Sequence, residues 1–345
     1  MTFKILHTFS LSFLVLTLGS SCTKFYPEDR DSIDPGAQFL VTTYSPTLGR
    51  NTVYNGNFSS GTSSQPLEFE VLNLRRYNGD PAPELTDSIY KVLSWKNDGG
   101  YTGAETSLAE IEAKRVIENH RIFEVRKNSG QVVIWSGMDV NQVLTRPDSG
   151  YKFDVKVSNS GASRYYYNLR FMPRKPIPYE PSNYNSETGM TTGPAVAFST
   201  TGNLTNVFRN SDNVAMQESE VDVYFSKKGN GNSLTFRFLD SAFRTIDPHL
   251  FNSTNWNTLI HGFDVKVTNT SVTYTVAYPI PLIPLRTMYT NSSGNRASIN
   301  LSYFRKGRAG AGVTAGMGFD FSIFEKGDWE ISFQFKNTSP KFSDD

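Results

Sequence analysis

The sequence predicts an all-β protein made of two β-sandwich domains of immunoglobulin-like type, with one short helix inserted in the first. Three observations carry that reading. Short runs of alternating apolar and polar residues recur along almost the whole chain, which is the two-residue period of a sheet with one wet face. A cluster of Pro173, Pro176, Pro178 and Pro181 divides those runs into two groups. The heptapeptide "FDVKVSN" at 153–159 returns as "FDVKVTN" at 263–269, once in each group.

The strands follow in order. "LEFEVLNL" alternates Leu67, Phe69 and Val71. "RIFEVR" and "QVVIW" flank the turn "KNSG", and "YKFDVKV" and "RYYYNLRF" flank "SNSGAS", so each pair reads as a hairpin. "VDVYF" and "LTFRFL" flank "SKKGNGNS" and are expected to pair in the same way. Near the end, Gly327-Asp328 breaks "FSIFEKGDWEISFQF" into two further alternating runs. One stretch predicts a helix: Ser107 with Glu110 forms a capping box, and Leu108, Ile111, Ala113, Val116 and Ile117 keep a helical period until Asn119.

Domain bounds follow from composition. Residues 1–21 read as a signal peptide, 22–37 as a flexible tether, 38–172 as the N-terminal β domain, 173–189 as a Pro-rich linker and 190–345 as the C-terminal β domain. Four prolines close together stiffen the linker and exclude a central strand. The two "FDVKV" copies, each followed by an Asn turn, a Tyr-containing strand and Pro-Ile-Pro, fit a duplicated module. They also fit two unrelated amphipathic strands, since the match does not extend upstream. The second copy leads into "VAYPIPLIPL", which is too proline-rich for a central strand and is expected at an edge or as a crossing segment.

The N-terminus bears on location. Lys4 precedes an apolar run interrupted by His7, Thr8, Ser10 and Ser12, shorter than the roughly 20 residues that cross a bilayer. Gly19, Ser20 and Ser21 stand before Cys22, the chain's one cysteine. This pattern resembles a bacterial lipobox, with Leu18 four residues before the cysteine. It implies a mature chain that begins at an acylated, palmitate-type Cys22. An ordinary secretory signal beside a chance cysteine is the alternative. Glu28, Asp29, Asp31 and Asp34 behind Cys22 resemble the surface-export signals of Bacteroidota lipoproteins, so the expected location is the exterior face of the outer membrane.

Composition excludes several functions. With the signal removed, basic and acidic side chains balance, and no basic cluster exceeds "FRKGR", so no footprint for nucleic acid is present. One cysteine permits no intramolecular disulfide. His120, His249 and His261 have no spacing that places two imidazoles on one metal, and no cofactor other than the lipid on Cys22 is expected. No G-x-S-x-G elbow occurs, and "GRAGAGVTAGMG" lacks the Lys-Ser/Thr of a P-loop. Asp87, Asp98, Asp240 and Asp247 lie in loops without a spacing that selects a catalytic pair. "KNDGGYTG" and "NGDPAPELTD" depart from the EF-hand loop and read as solvated turns. No catalytic or metal-binding residue is nominated, and the chain does not read as an enzyme.

Aromatic residues supply the candidate site. Trp135 and Trp329 stand in alternating runs and are expected in the core. Trp95 in "LSWKNDGG" and Trp256 in "NSTNWNT" have loop-like surroundings. Exposed there, they would stack on pyranose rings while neighbouring Asn and Asp reach the hydroxyls. Tucked back, they would cover the open end of a sandwich instead.

"SPTLGR", "PLEFEVLNLRRYNGDPAPEL", "EIEAKRVIENHRIFEVRKNSGQVVIW", "VAYPIPLIPLRTMYT" and "GDWEISFQFKNTSPKF" together resemble an uncharacterised group of Bacteroidota lipoproteins known as domain of unknown function 5007. The resemblance implies a single-copy surface lipoprotein encoded near SusC/SusD-type importers, with no established activity and no functional residues to carry over. In architecture it is similar to starch-binding SusE/SusF-type lipoproteins, which present β-sandwich modules on a lipid tether. The expected partners are therefore the membrane, a polysaccharide and an importer complex. A structural or interaction lipoprotein docking on surface complexes, without ligand or catalysis, is the alternative.

Overall fold

The computed structural model describes residues 32–96, 100–137 and 143–345. Cys22 and Asp98 lie outside the described residues. Nearly every regular element is a β-strand, and the apolar side chains gather into two separate cores.

The first core lies between two sheets. In the four-stranded sheet, Tyr151–Ser158 runs centrally between Glu68–Arg76 and Ser163–Phe171, and Thr43–Tyr44 adds in parallel to the latter. The three-stranded sheet joins Thr52–Tyr54, Val132–Ile134 and Phe123–Val125. Phe123 bridges the layers, its ring 4.8 Å from Phe153 and 4.9 Å from Phe171. Alternation decides which side chains face inward: Tyr151, Phe153, Val155 and Val157 are fully buried, while Lys152 and Lys156 between them are half-buried.

The second core, from Tyr179 to Phe335, is larger. One sheet runs in the order Val196–Ala197, Val221–Gly229, Asp328–Phe335, Ser233–Leu239, Val272–Thr275, Phe263–Val267, with Thr245–Ile246 also on Ser233–Leu239. The opposing sheet is built on Gly312–Ile323, which pairs with Ala297–Lys306, Gly202–Thr205 and Tyr179–Glu180. Phe319 packs 5.5 Å from Phe333 and Phe321 6.2 Å from Phe236, so aromatic side chains fill the space between the sheets.

Two of the expected hairpins form, and one does not. Val221–Gly229 and Ser233–Leu239 do not form a hairpin, because the Asp328–Phe335 strand inserts between them, antiparallel to the first and parallel to the second. At the start of the inserted strand the Asp328 carboxylate accepts hydrogen bonds from the Gly231 amide and the Ser233 hydroxyl. The connecting loop thereby bridges over the start of the strand it admits. The runs either side of Gly327-Asp328 enter opposite sheets, so that break is a crossover between layers.

The helix is shorter than its period predicts. It covers Leu108–Ala113, with Ser107 accepting from the Glu110 amide, and Arg115–His120 is instead a strand paired with Tyr90–Trp95. Val116 and Ile117 are β-branched and favour the extended form, and both are exposed there. Of the helical positions named above, Ile111 alone is buried. A second short helix, Pro83–Thr86, places Glu84 in the first core, where it accepts from Arg76 and from the Tyr151 hydroxyl.

The repeated heptapeptide occupies unlike positions. Phe153–Val157 lies within a central, buried strand, whereas Phe263–Val267 is an edge strand whose residues alternate between half-buried and exposed. Both copies carry a bulge at the aspartate. Asp154 is buried there among Asn73, Arg75 and Asn168, while Asp264 takes a left-handed φ of 52° at the open edge. The same five residues therefore meet two different demands, and the fold gives no equivalence between the copies.

The end of the segment read as a flexible tether and the Pro-rich stretch read as a stiff linker both make specific contacts. Asp34 accepts from the amides of Gly36 and Thr62, Arg164 donates to its carbonyl, and Ala37 is buried. In the Pro-rich stretch, Arg174 exchanges backbone hydrogen bonds with Pro46 and Leu48, and Tyr179–Glu180 joins the second sandwich. The stretch is hydrogen-bonded to both halves of the chain.

Candidate functional site

The site is best built from the segment that crosses the second sandwich. After Val272–Thr275 the chain leaves one sheet, and Ile280 forms a bridge with Ile323 of the other. Its prolines remove ladder donors. The peptide bonds Tyr278-Pro279 and Ile280-Pro281 are cis. The resulting ridge faces the first half of the chain.

The Tyr90–Trp95 and Arg115–His120 hairpin meets that ridge. Arg115, with 4% of its side chain exposed, donates from Nη1 to the Tyr278 carbonyl at 2.9 Å and pairs with Glu112 at 3.4 Å. Burial lowers its pKa from the usual arginine value, with Glu112 opposing. The loop before the helix docks alongside. His261 contacts the Tyr101 hydroxyl through Nδ1 and the Glu105 carbonyl through Nε2 at 2.8 Å, and its ring stacks on Tyr289 at 4.7 Å. Burial pushes the Tyr101 phenol well above its ordinary value.

Glu105 anchors this loop from below. Its side chain is fully buried, which alone would raise its pKa. The Lys114 ammonium at 2.6 Å and the Thr102 amide and hydroxyl outweigh burial and hold it down at about 2. A carboxylate thus stays ionised inside the junction because every charge-stabilising partner is local.

Beside these contacts the two halves leave an open cleft of about 460 Å³. Trp95, Arg115, Arg50 and Asn51 line it from the first half; Glu180, Arg296, Phe324 and the Pro279–Pro284 ridge line it from the second. Trp95 is half-buried at a strand end, with the Arg115 guanidinium 4.9 Å from its ring and Tyr101 at 5.9 Å. Arg50 lies 3.6 Å over the Phe324 ring and donates to Glu180 at 2.7 Å, and Arg296 approaches the other Glu180 oxygen at 3.7 Å. An apolar wall, an aromatic ring and convergent charged groups together make the cleft amphipathic.

Trp256 is elsewhere. It opens the short 3-10 turn Trp256–Thr258, packs on the second core 6.3 Å from Phe238, and its carbonyl accepts from the Tyr274 hydroxyl. Of the two sequence candidates, Trp95 borders the cleft, whereas Trp256 is half-buried against the second core and does not line it. Trp329 is in the core, and Trp135, expected there, is half-buried with its ring stacked on His120 at 3.9 Å.

The family model described as "Domain of unknown function (DUF5007)" matches residues 58–344. The chain belongs to that family. No curated protein matches it. The DUF5007 region contains every cleft residue named above except Arg50 and Asn51.

The loop carboxylates of this family member serve turns. Asp240 accepts from the Ala242 and Arg244 amides, and Asp247 caps a 3-10 turn by accepting from His249. Among the described residues, no group of three or more His, Cys, Asp or Glu could hold a metal ion. Sequence reasoning missed Arg50, Arg115, Glu180, Arg296 and Phe324, because they come from five separate segments. The only local signal was "YPIPLIP", the ridge they surround.

Proposed function

We propose that the protein is exported, anchored by a lipid on Cys22 to the outer face of the outer membrane, and binds a glycan or other nutrient for a SusC/SusD-type importer. Trp95 carries the reading. A half-buried indole at the lip of a cleft, with Asn51 and Asn295 nearby, combines a surface for a sugar's C–H face with groups for its hydroxyls. The lipobox-like sequence supports the anchor, and among the described residues no helix is long and apolar enough to cross a membrane.

Affinity electrophoresis of residues 23–345, which retain every described residue, through plant, algal and host polysaccharides tests the proposal. Retardation by one glycan that is lost in Trp95→Ala supports it. Absence of retardation by any glycan favours the second reading, a docking lipoprotein. That reading draws on an exposed apolar cross-strand pair, Leu93 opposite Ile117, with Ile89 and Val116 also exposed on the hairpin.

A further inference from the structure

The geometry points to an anionic saccharide, carrying carboxylate or sulfate groups, as the occupant of the cleft. This inference rests on the glycan-binding reading above and narrows its ligand class. Three guanidiniums line the cleft, those of Arg50, Arg115 and Arg296; Glu180 is the carboxylate on its wall and Glu112 pairs with Arg115 from outside the lining, so one positive charge stays in excess. Glu180 is already shared, one oxygen toward Arg50 and the other toward Arg296. Arg50 keeps two buried donors, Nε and Nη2, with no acceptor. Arg146, Arg170, Arg174 and Arg305 each leave one buried Nε so, whereas Arg50 leaves two donors, and an arriving oxyanion would provide their acceptors once the side chain turns toward it.

Placement strengthens the charge argument. Arg115 is almost fully buried beside Trp95, and a charge held in a low-dielectric wall acts more strongly on a bound anion than an exposed one. Guanidinium groups match the planar geometry of carboxylates and the tetrahedral oxygens of sulfates through paired donors. A pyranose ring against Trp95 would set its ring substituents toward these groups. A neutral sugar would leave the excess positive charge without compensation.

The test measures binding of residues 23–345 to uronate-containing and sulfated polysaccharides, to carboxyl-reduced and desulfated forms of the same polymers, and to neutral glycans. Arg296→Gln is run in parallel, with its melting temperature confirming the fold, because Arg296 is more exposed than Arg115 and holds no backbone. The expected result is binding to an acidic polymer, lost on removal of its charged group, weakened by added salt, and weakened about tenfold in Arg296→Gln. Whether carboxyl reduction or desulfation abolishes binding identifies the oxyanion. Equal binding to neutralised polymers, or an unchanged affinity in Arg296→Gln, overturns the anionic ligand and leaves the glycan reading standing. No binding to any glycan, neutral or acidic, overturns both.

Discussion

Arg115 Nη1 donates to the carbonyl oxygen of Tyr278 at 2.9 Å, joining the end of the first half's hairpin to the proline ridge of the second. The bond is buried, and a donor that carries charge makes it stronger than a neutral pair. It also fixes one wall of the cleft relative to the other.

Arg115→Ala removes that donor and leaves the Tyr278 carbonyl unpaired. Chemical denaturation should show a loss of about 2–4 kcal/mol, with faster amide exchange along the ridge. A variant within about 0.5 kcal/mol of the parent would mean the bond does not hold the halves together.

Glu105 makes the junction acid-sensitive. Its folded pKa is depressed to about 2, so its contribution is fully present above the unfolded value near 4.5 and is lost as pH falls from there toward 2. Glu105→Gln should therefore be destabilised by roughly 3 kcal/mol at pH 7, and its deficit should shrink as both proteins are acidified below pH 4. Parallel stability–pH curves for the two proteins would contradict this.

Asp328 ties the Gly231–Ser233 loop to the start of the inserted strand. Asp328→Ala should cost about 1–3 kcal/mol in thermal or urea unfolding. Asp328→Asn should recover part of that loss, because its amide oxygen still accepts one bond.

Trp256→Ala should lower stability by about 2–4 kcal/mol through the void it leaves beside Phe238, while leaving glycan binding unchanged. Lost binding with an intact fold would return Trp256 to the ligand site.

Strand existence was legible in the sequence because burial on one face writes itself as a two-residue period, as in Tyr151 to Val157 and Leu234 to Phe238. Strand partnership was less so. Nothing local in "SKKGNGNS" tells that Asp328–Phe335 inserts between its flanks, since the partner strand is distant in the chain. Val116 and Ile117 satisfied a helical period and still formed a strand, because cross-strand pairing with Ser94 and Leu93 outweighed a marginal helix. The candidate site was half legible: Trp95 stood out by residue type, while the arginines around it have no pattern until the fold converges them.

The most direct measurement of the central claim compares glycan dissociation constants for the parent, Trp95→Ala and Trp256→Ala in the 23–345 protein. The cleft account predicts that Trp95→Ala weakens binding at least tenfold, on the order of 1.4 kcal/mol, while Trp256→Ala stays within twofold. Binding that survives Trp95→Ala and fails in Trp256→Ala would place the ligand beside Trp256 and contradict the account.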